Sequence, residues 1–195
     1  MSIVLLGSTS GSVTLQEPAV AGTTVFTLPA TSGTVVVTGT TPSLNGIAFP
    51  ATQSASADAN TLDDYEEGTF TPVYTTAGGG ESVTYDIQSA KYTKIGNCVY
   101  FQAILRTDSF SGGSGGVRVS LPFTASASAP QVTAYTGEAA AWTTNCPTAG
   151  YIGSNSAHMT LIRVSGTASS DITTSNITNS TNSNLLNIGG FYYTA

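Results

Sequence analysis

Charge is the scarcest property of this sequence. Only 8% of its 195 residues are Asp, Glu, Lys or Arg, against about 25% in typical globular domains. Five bases stand against eleven acids, which gives a net charge of −6, and residues 1–90 contain no Lys or Arg. Binding to a phosphate backbone needs several clustered bases. We therefore expect no nucleic-acid partner.

Long apolar runs are also absent. The segment from Met1 to Gly7 has neither a basic region nor an apolar run of about 7–15 residues, so it predicts no secretory signal. No run approaches the ~20 apolar residues that a membrane-spanning helix needs. We therefore expect no membrane insertion.

Side chains suited to catalysis are few. The one histidine, His158, lies in an alternating segment, where a packed or solvent-facing strand residue is a commoner role than a catalytic base. The two cysteines, Cys98 and Cys146, are predicted to stay thiols in a reducing cytosol, with a disulfide as the alternative. We expect a protein that is not an enzyme and has no catalytic residue, metal ion or cofactor.

Small hydroxyl residues and glycine are abundant instead. The chain has 32 Thr, 24 Ser and 21 Gly. Threonine favours strands because its branched Cβ packs well on a pleated surface, whereas Gly and Ser favour turns. No segment predicts a helix of three turns, and residues 57–67 could form one or two. The composition predicts an all-β fold.

Residues 1–60 contain a repeat of eleven residues, in which Gly11, Gly22 and Gly33 each open a short predicted strand. Ordering the backbone costs about 1–2 kcal/mol per residue, and a buried apolar side chain returns only about 1.5–3 kcal/mol. We therefore predict a repetitive β-stalk for oligomerisation and docking, with packing on the chain's own later domain as the alternative. The predicted oligomer interface is the apolar stripe at period two: Val13, Leu15, Phe26, Leu28, Val35 and Val37.

Residues 61–195 predict a second domain, a β-sandwich of the jelly-roll type. Its clearest feature is a hairpin that turns at Gly96-Asn97 and continues into a strand with Val99, Phe101, Ala103 and Leu105 on one face. Residues 111–116 predict a flexible glycine-rich loop, and a further strand carries Val117, Val119 and Leu121. The remaining predicted strands cover residues 131–136, 139–142, 158–164, 171–177 and 185–193.

Two groups of side chains are candidates for binding. Asp63, Asp64, Glu66 and Glu67 form an acidic segment that we interpret as a solvated junction, with a cation site as the alternative. Aromatic rings can stack on sugars, although packing in a core or interface is their commoner role. The candidates for contact with a glycan or receptor are Trp142, Tyr151, Tyr192 and Tyr193.

Two stretches carry a family resemblance. Residues 11–36, GSVTLQEPAVAGTTVFTLPATSGTVV, resemble a segment common in tail-fibre and other virion-surface proteins of tailed bacteriophages. LDDYEEGTFTP at residues 62–72, followed by YTKIGN at 92–97, resembles the opening of a β-sandwich module of the same class. The resemblance implies a homotrimer that forms a fibre or a knob decorating the capsid. The short chain favours capsid decoration over a long tail fibre.

Together these features predict a structural protein on the outer surface of a virion, assembled in the host cytoplasm. Its expected partners are further copies of itself, other capsid or tail proteins and a host-surface glycan. The alternatives are a free-standing carbohydrate-binding or adhesin module and a polysaccharide depolymerase. A depolymerase would need a pair of opposed carboxylates, which this sequence does not indicate.

Overall fold

A computed structural model describes residues 3–6, 9–10, 12–15, 49, 62 and 64–194. The chain divides into two compact units, Met1–Ile47 and Ala48–Ala195. Over the described residues the regular elements are β-strands and one short 3₁₀ turn, Thr174–Asn176, so the all-β prediction is confirmed. No helix in these ranges is long and apolar enough to cross a membrane.

The first unit contributes one β-hairpin to the described residues. Strand β1 (Ile3–Leu6) pairs antiparallel with β2 (Ser12–Leu15), with Ile3 opposite Leu15 and Leu6 opposite Ser12. The first eleven-residue segment therefore contains a strand, as predicted. The stripe positions beyond β2 are Phe26, Leu28, Val35 and Val37, and all four lie outside the described residues. The stalk therefore remains a prediction.

The second unit is one continuous antiparallel sheet. Its strands are β3 (Tyr65–Phe70), β4 (Tyr74–Thr76), β5 (Glu81–Ile95), β6 (Cys98–Gly112), β7 (Val117–Ser120), β8 (Val132–Ala140), β9 (Ala149–Ile152), β10 (His158–Ser165), β11 (Ala168–Asp171) and β12 (Ser183–Tyr193). In sheet order the path is β3-β5-β6-β12-β8-β9-β10-β7-β4, and β11 also pairs with β10.

The β5–β6 hairpin is the longest part of this sheet and confirms its sequence prediction. Gly96 begins the turn with a φ of 57°, a conformation that glycine adopts without strain. Along β6, Val99 and Leu105 are fully buried and Phe101 is 3% exposed, whereas the residues between them point to the other face. Period-two alternation was therefore sufficient to identify the buried side.

The sheet curls into a half-barrel. Its edge strands β3 and β4 are joined by residues 71–73 alone, and a chain spans at most about 3.6 Å per residue, so the ends of the two edges lie close together. Two hydrogen bonds reach across this gap: the Tyr85 hydroxyl accepts from the Tyr74 amide (2.6 Å), and the Gln88 side-chain amide donates to the Pro72 carbonyl (2.8 Å).

A sandwich of two facing sheets is not seen among these strands. The reason lies in β5 and β6, which are 15 residues each and carry register shifts near Tyr85. Such bulges bend a strand and increase its twist. One bent sheet thus surrounds the core that two separate sheets would otherwise enclose.

Aromatic rings fill the two ends of this core. Near β4, Tyr74 is 2% exposed and packs edge-on against Trp142, with ring centroids 6.0 Å apart. Toward the other end, Phe123 packs edge-on against Tyr92 at 5.0 Å, and its backbone N–H and carbonyl both bond the Tyr192 hydroxyl. The loop containing Phe123 thereby closes the concave side of the sheet.

Four local predictions need correction. Residues 131–136 and 139–142 belong mainly to the single strand β8, and Tyr65 to Glu67 lie in β3 rather than in a helical turn. Residues 111–112 extend β6 because they pair with Ser82 and Glu81, which leaves a shorter loop. The predicted strand at 171–177 ends at Asp171, because the Thr174–Asn176 turn follows with its Asn176 side chain bonded to the Thr173 amide.

Candidate functional site

Aromatic side chains stand on the convex side of the sheet, which we call the outer face. It is formed by β5, β6, β12 and β8. Successive side chains of a strand point to opposite faces, so the residues that alternate with the buried ones lie on the outer face. Four rings on it are well exposed to solvent, at 37–58% of their surface: Tyr100, Tyr135, Phe191 and Tyr193. Exposed rings gathered on one face are typical of a binding surface.

An open groove runs across these strands. Its two halves have volumes of about 490 and 370 Å³ and share Lys91, Gln102 and Tyr135. The larger half adds Tyr100 and Phe191. The smaller half also contains Ile104, Gly137 and Asn187. We call the whole depression the outer groove.

A glycine positions the central ring of the outer groove. Gly189 on β12 lies opposite Tyr135 on β8, and a Cβ at this glycine would clash with the Tyr135 hydroxyl and come within 2.6 Å of Cζ. The Tyr135 ring therefore lies over the backbone of Gly189, which is buried although it faces outward. Tyr135 forms the ridge between the two halves of the groove.

The larger half ends in a row of aromatic rings. Tyr100 and Phe191 have centroids 6.0 Å apart, and Phe191 meets Tyr193 edge-on at 6.3 Å. The neighbouring Cys98 thiol raises the pKa of Tyr100 above its ordinary value. Like any tyrosine hydroxyl, that of Tyr100 can both donate and accept a hydrogen bond.

The smaller half is polar. The Asn187 side-chain amide donates to a carboxylate oxygen of Glu138 on the neighbouring strand (3.1 Å). The Asn187 side-chain carbonyl can accept a further hydrogen bond, and Gln102 and Lys91 also line this half. The groove thus offers ring faces together with hydrogen-bonding groups of both kinds.

Two of the four rings predicted to contact a glycan lie in the core instead. Trp142 is 9% exposed and its indole N–H donates to the Leu185 carbonyl (3.0 Å). Tyr192 is 1% exposed and points to the concave side. Neither ring has a face open to a sugar, because strands that are distant in sequence cover both. The structure thus places these two residues in the core, the commoner role of such rings, and their burial argues against contact with a glycan.

The other two predicted rings are not brought together. Tyr193 ends the aromatic row beside Phe191, whereas Tyr151 is half-buried on β9. Sequence reasoning missed Tyr100, Tyr135 and Phe191. A signal for Tyr100 was present, since Val99 and Phe101 face inward and the residue between them must face outward.

The acidic segment does not form one cluster. Asp64 is buried and pairs with the buried Lys94, the Tyr92 hydroxyl donates to Glu66, and the Tyr65 hydroxyl donates to Glu67. Alternation sends Glu66 and Glu67 to opposite faces of β3. Asp63 lies outside the described residues, within which no group of three potential metal ligands occurs.

The remaining reactive side chains are separate from each other. His158 is half-buried at the start of β10; burial, and then the charge of Arg118, lower its pKa below the ordinary value. Asp171, on β11, lies opposite Ile162, which is further along β10 than His158. Cys98 and Cys146 are both free thiols. The candidate functional site is therefore the outer groove.

No family model matches this chain. No curated protein and no solved structure matches it either. The functional assignment therefore depends on the groove and on the sequence patterns described above.

Proposed function

We propose that this chain is a non-enzymatic structural protein of the outer surface of a tailed-phage virion, acting as a homotrimer. Residues 1–60 form an interwoven β-stalk that attaches to a capsid or tail protein. The domain that follows faces solvent and contacts the host surface. The exposed aromatic groove on the outer face is the observation that carries the adhesive role, and the resemblance of residues 11–36 and 62–72 to virion-surface proteins supports the location.

Three features support the adhesive part of the proposal. The aromatic rings are on the outer face of a rigid sheet, and sites on regular elements hold their geometry better than sites on loops. The described carboxylates of the acidic segment are bonded to other side chains instead of being opposed across a cleft. The chain's five bases are dispersed, and two of them, Lys94 and Arg106, form ion pairs.

Oligomeric mass tests the stalk. The full chain should have the mass of a trimer in light scattering. Replacing both Val13 and Leu15 by Asp should lower this mass, because the two residues belong to the predicted interface stripe. Thr14→Asp is the matched control, since it adds charge at the intervening position of β2. A full-length chain that is monomeric at micromolar concentration contradicts the stalk.

Labelling of particles tests the location. Antibody against the domain should decorate virions produced from the genome that encodes the chain, and the free protein should compete with those virions for adsorption to host cells. Virions without label contradict the proposal.

The second candidate function is a free-standing carbohydrate-binding or adhesin module, which the outer groove also fits. It predicts binding to glycans by a protein absent from virions. A polysaccharide depolymerase, the third class, would reduce the viscosity of its polymer, which binding alone does not.

A further inference from the structure

We infer that the outer groove is a saccharide site that holds at least two consecutive uncharged hexose units, one on either side of Tyr135. This inference rests on the proposed function, because it names the ligand through which the domain contacts a surface. It replaces the predicted ring set, two members of which are buried, with Tyr135, Tyr100 and Phe191.

The exposed rings call for a ligand with flat apolar faces. Tyr135 is 58% exposed, Tyr100 51% and Phe191 45%, although each could bury a large apolar surface in a core. A pyranose ring carries C–H groups on its faces and hydroxyl groups around its rim. It can therefore cover an aromatic ring while its rim stays hydrogen-bonded.

The polar side chains are placed for that rim. Gln102 lines both halves of the outer groove, and its side-chain amide both donates and accepts. Lys91 also lines both halves and donates, whereas the Asn187 side-chain carbonyl oxygen accepts; one N–H of the same amide group is bonded to Glu138. A sugar hydroxyl, which donates and accepts, matches this mixture.

The balance of charge favours an uncharged ligand. Lys91 is the cation of the groove, Glu138 lies beside its polar half, and Glu67 is on the same face of β3, two positions from the residue paired with Lys91. A sulfated or phosphorylated ligand would need several bases together. One ammonium group does not provide that.

The position of Tyr135 sets the number of sugar units. Its ring rises between the two halves because Gly189 leaves room for it over the backbone. A single sugar would occupy one half of the outer groove and contact the Tyr135 ring from one side only. A linked pair would cross the ridge and reach both Phe191 on one side and Asn187 on the other.

The test uses the full chain and defined probes. Neutral gluco-, galacto- and mannotrioses, their monosaccharides and a uronic-acid trisaccharide are titrated while the protein amide signals are followed by NMR. We expect one neutral trisaccharide to bind, to bind more tightly than its monosaccharide, and to shift signals on β6, β8 and β12. The uronic-acid probe should bind more weakly.

Three variants locate the site. Tyr135→Ala should weaken binding of the neutral trisaccharide about three- to tenfold, the range expected for one lost aromatic contact. Tyr135→Phe keeps the ring and should bind within about twofold of the natural protein. Tyr65→Ala is the matched control, because Tyr65 is a 40% exposed ring on β3 outside the groove; it should bind normally.

Each contrary result has a definite meaning. Absence of binding by every probe overturns the saccharide site, while labelled virions would still support the proposed function. Equal losses in Tyr135→Ala and Tyr65→Ala, or preference for the uronic acid, also overturn it. A change of oligomeric mass in Tyr135→Ala would show that another copy of the chain covers this face. Binding by a protein absent from virions would refute only the virion assignment.

Discussion

The inner and outer faces of the same four strands differ sharply in what they hold. On the concave side, Val99, Leu105 and Leu186 are fully buried. On the outer side, Tyr100 and its cross-strand partner Phe191 remain about half exposed, although Tyr100 directly follows the buried Val99. Burial of apolar surface is the main source of stability. The inner face therefore stabilises the fold, and the large rings outside are free to serve binding.

The ion pairs show the same contrast. Lys94 and Asp64 pair on the inner side with only 8% of each side chain exposed, and the ammonium group lies 6.0 Å from the centroid of the Phe123 ring. Arg106 and Asp86 pair on the hairpin with about a third of each side chain exposed. Losing one partner of an ion pair costs much more stability where water is excluded than where the pair is exposed.

The largest expected effects come from loss of a buried side chain on β6. Leu105→Ala should lower the free energy of unfolding by about 2–5 kcal/mol, through lost burial and the cavity left behind. Chemical denaturation measures this. Ile104→Ala is the matched control, because Ile104 is the preceding, half-buried residue and faces the groove; it should lose less than half as much. Equal losses would contradict the division between the faces.

Removing one member of the buried ion pair should cost nearly as much. Asp64→Asn leaves the Lys94 ammonium group buried without its counter-charge, and we expect a loss of about 3 kcal/mol in the free energy of unfolding. Asp86→Asn should lose less than about 1 kcal/mol, since its pair is partly exposed to water.

A double variant sharpens this comparison. Asp64→Leu combined with Lys94→Met removes both charges and should recover most of the loss, because an apolar pair of similar volume needs no counter-charge. If the double variant is as unstable as Asp64→Asn, the loss comes from packing around β3 rather than from the unpaired charge.

The inner face of the hairpin was predictable because its signals are local. Alternation from Val99 to Leu105 and the Gly96-Asn97 turn lie within a few residues of each other, and both were read correctly. The outward position of Tyr100 could have been inferred from the same alternation, although it was missed. Its role could not be read, because it depends on Phe191, which pairs with it from a distant strand.

Neither the curl of the sheet nor the outer groove could be predicted from the sequence, because both depend on pairing between distant strands. Trp142 is buried partly by Tyr74 on the edge strand β4. The two rings meet because the sheet curls. The ridge at Tyr135 needs the register of β8 on β12, which places Gly189 beneath the ring. Such pairings are set by contacts between remote segments, and no single stretch of sequence contains them.

A smaller effect concerns pH. Burial and Arg118 lower the pKa of His158 from its ordinary value of 6.5, so the folded protein binds this proton less readily than the unfolded chain. The resulting stability is present above about pH 6.5 and is lost as pH falls toward the lowered pKa. His158→Gln should therefore reduce the fall in stability between about pH 7.5 and about pH 5. An unchanged pH profile would show that His158 is freely hydrated.

The smallest expected effect on stability is on the outer face itself. Tyr100→Ser should change the free energy of unfolding by less than about 0.5 kcal/mol, because its ring is 51% exposed and lies away from the core. Phe101→Ala, one residue along and 3% exposed, should lose about 3–5 kcal/mol and provides the contrast. Denaturation curves for the two variants measure both. A large loss from Tyr100→Ser would mean that the aromatic row supports the fold, and its exposure would then no longer indicate a binding surface.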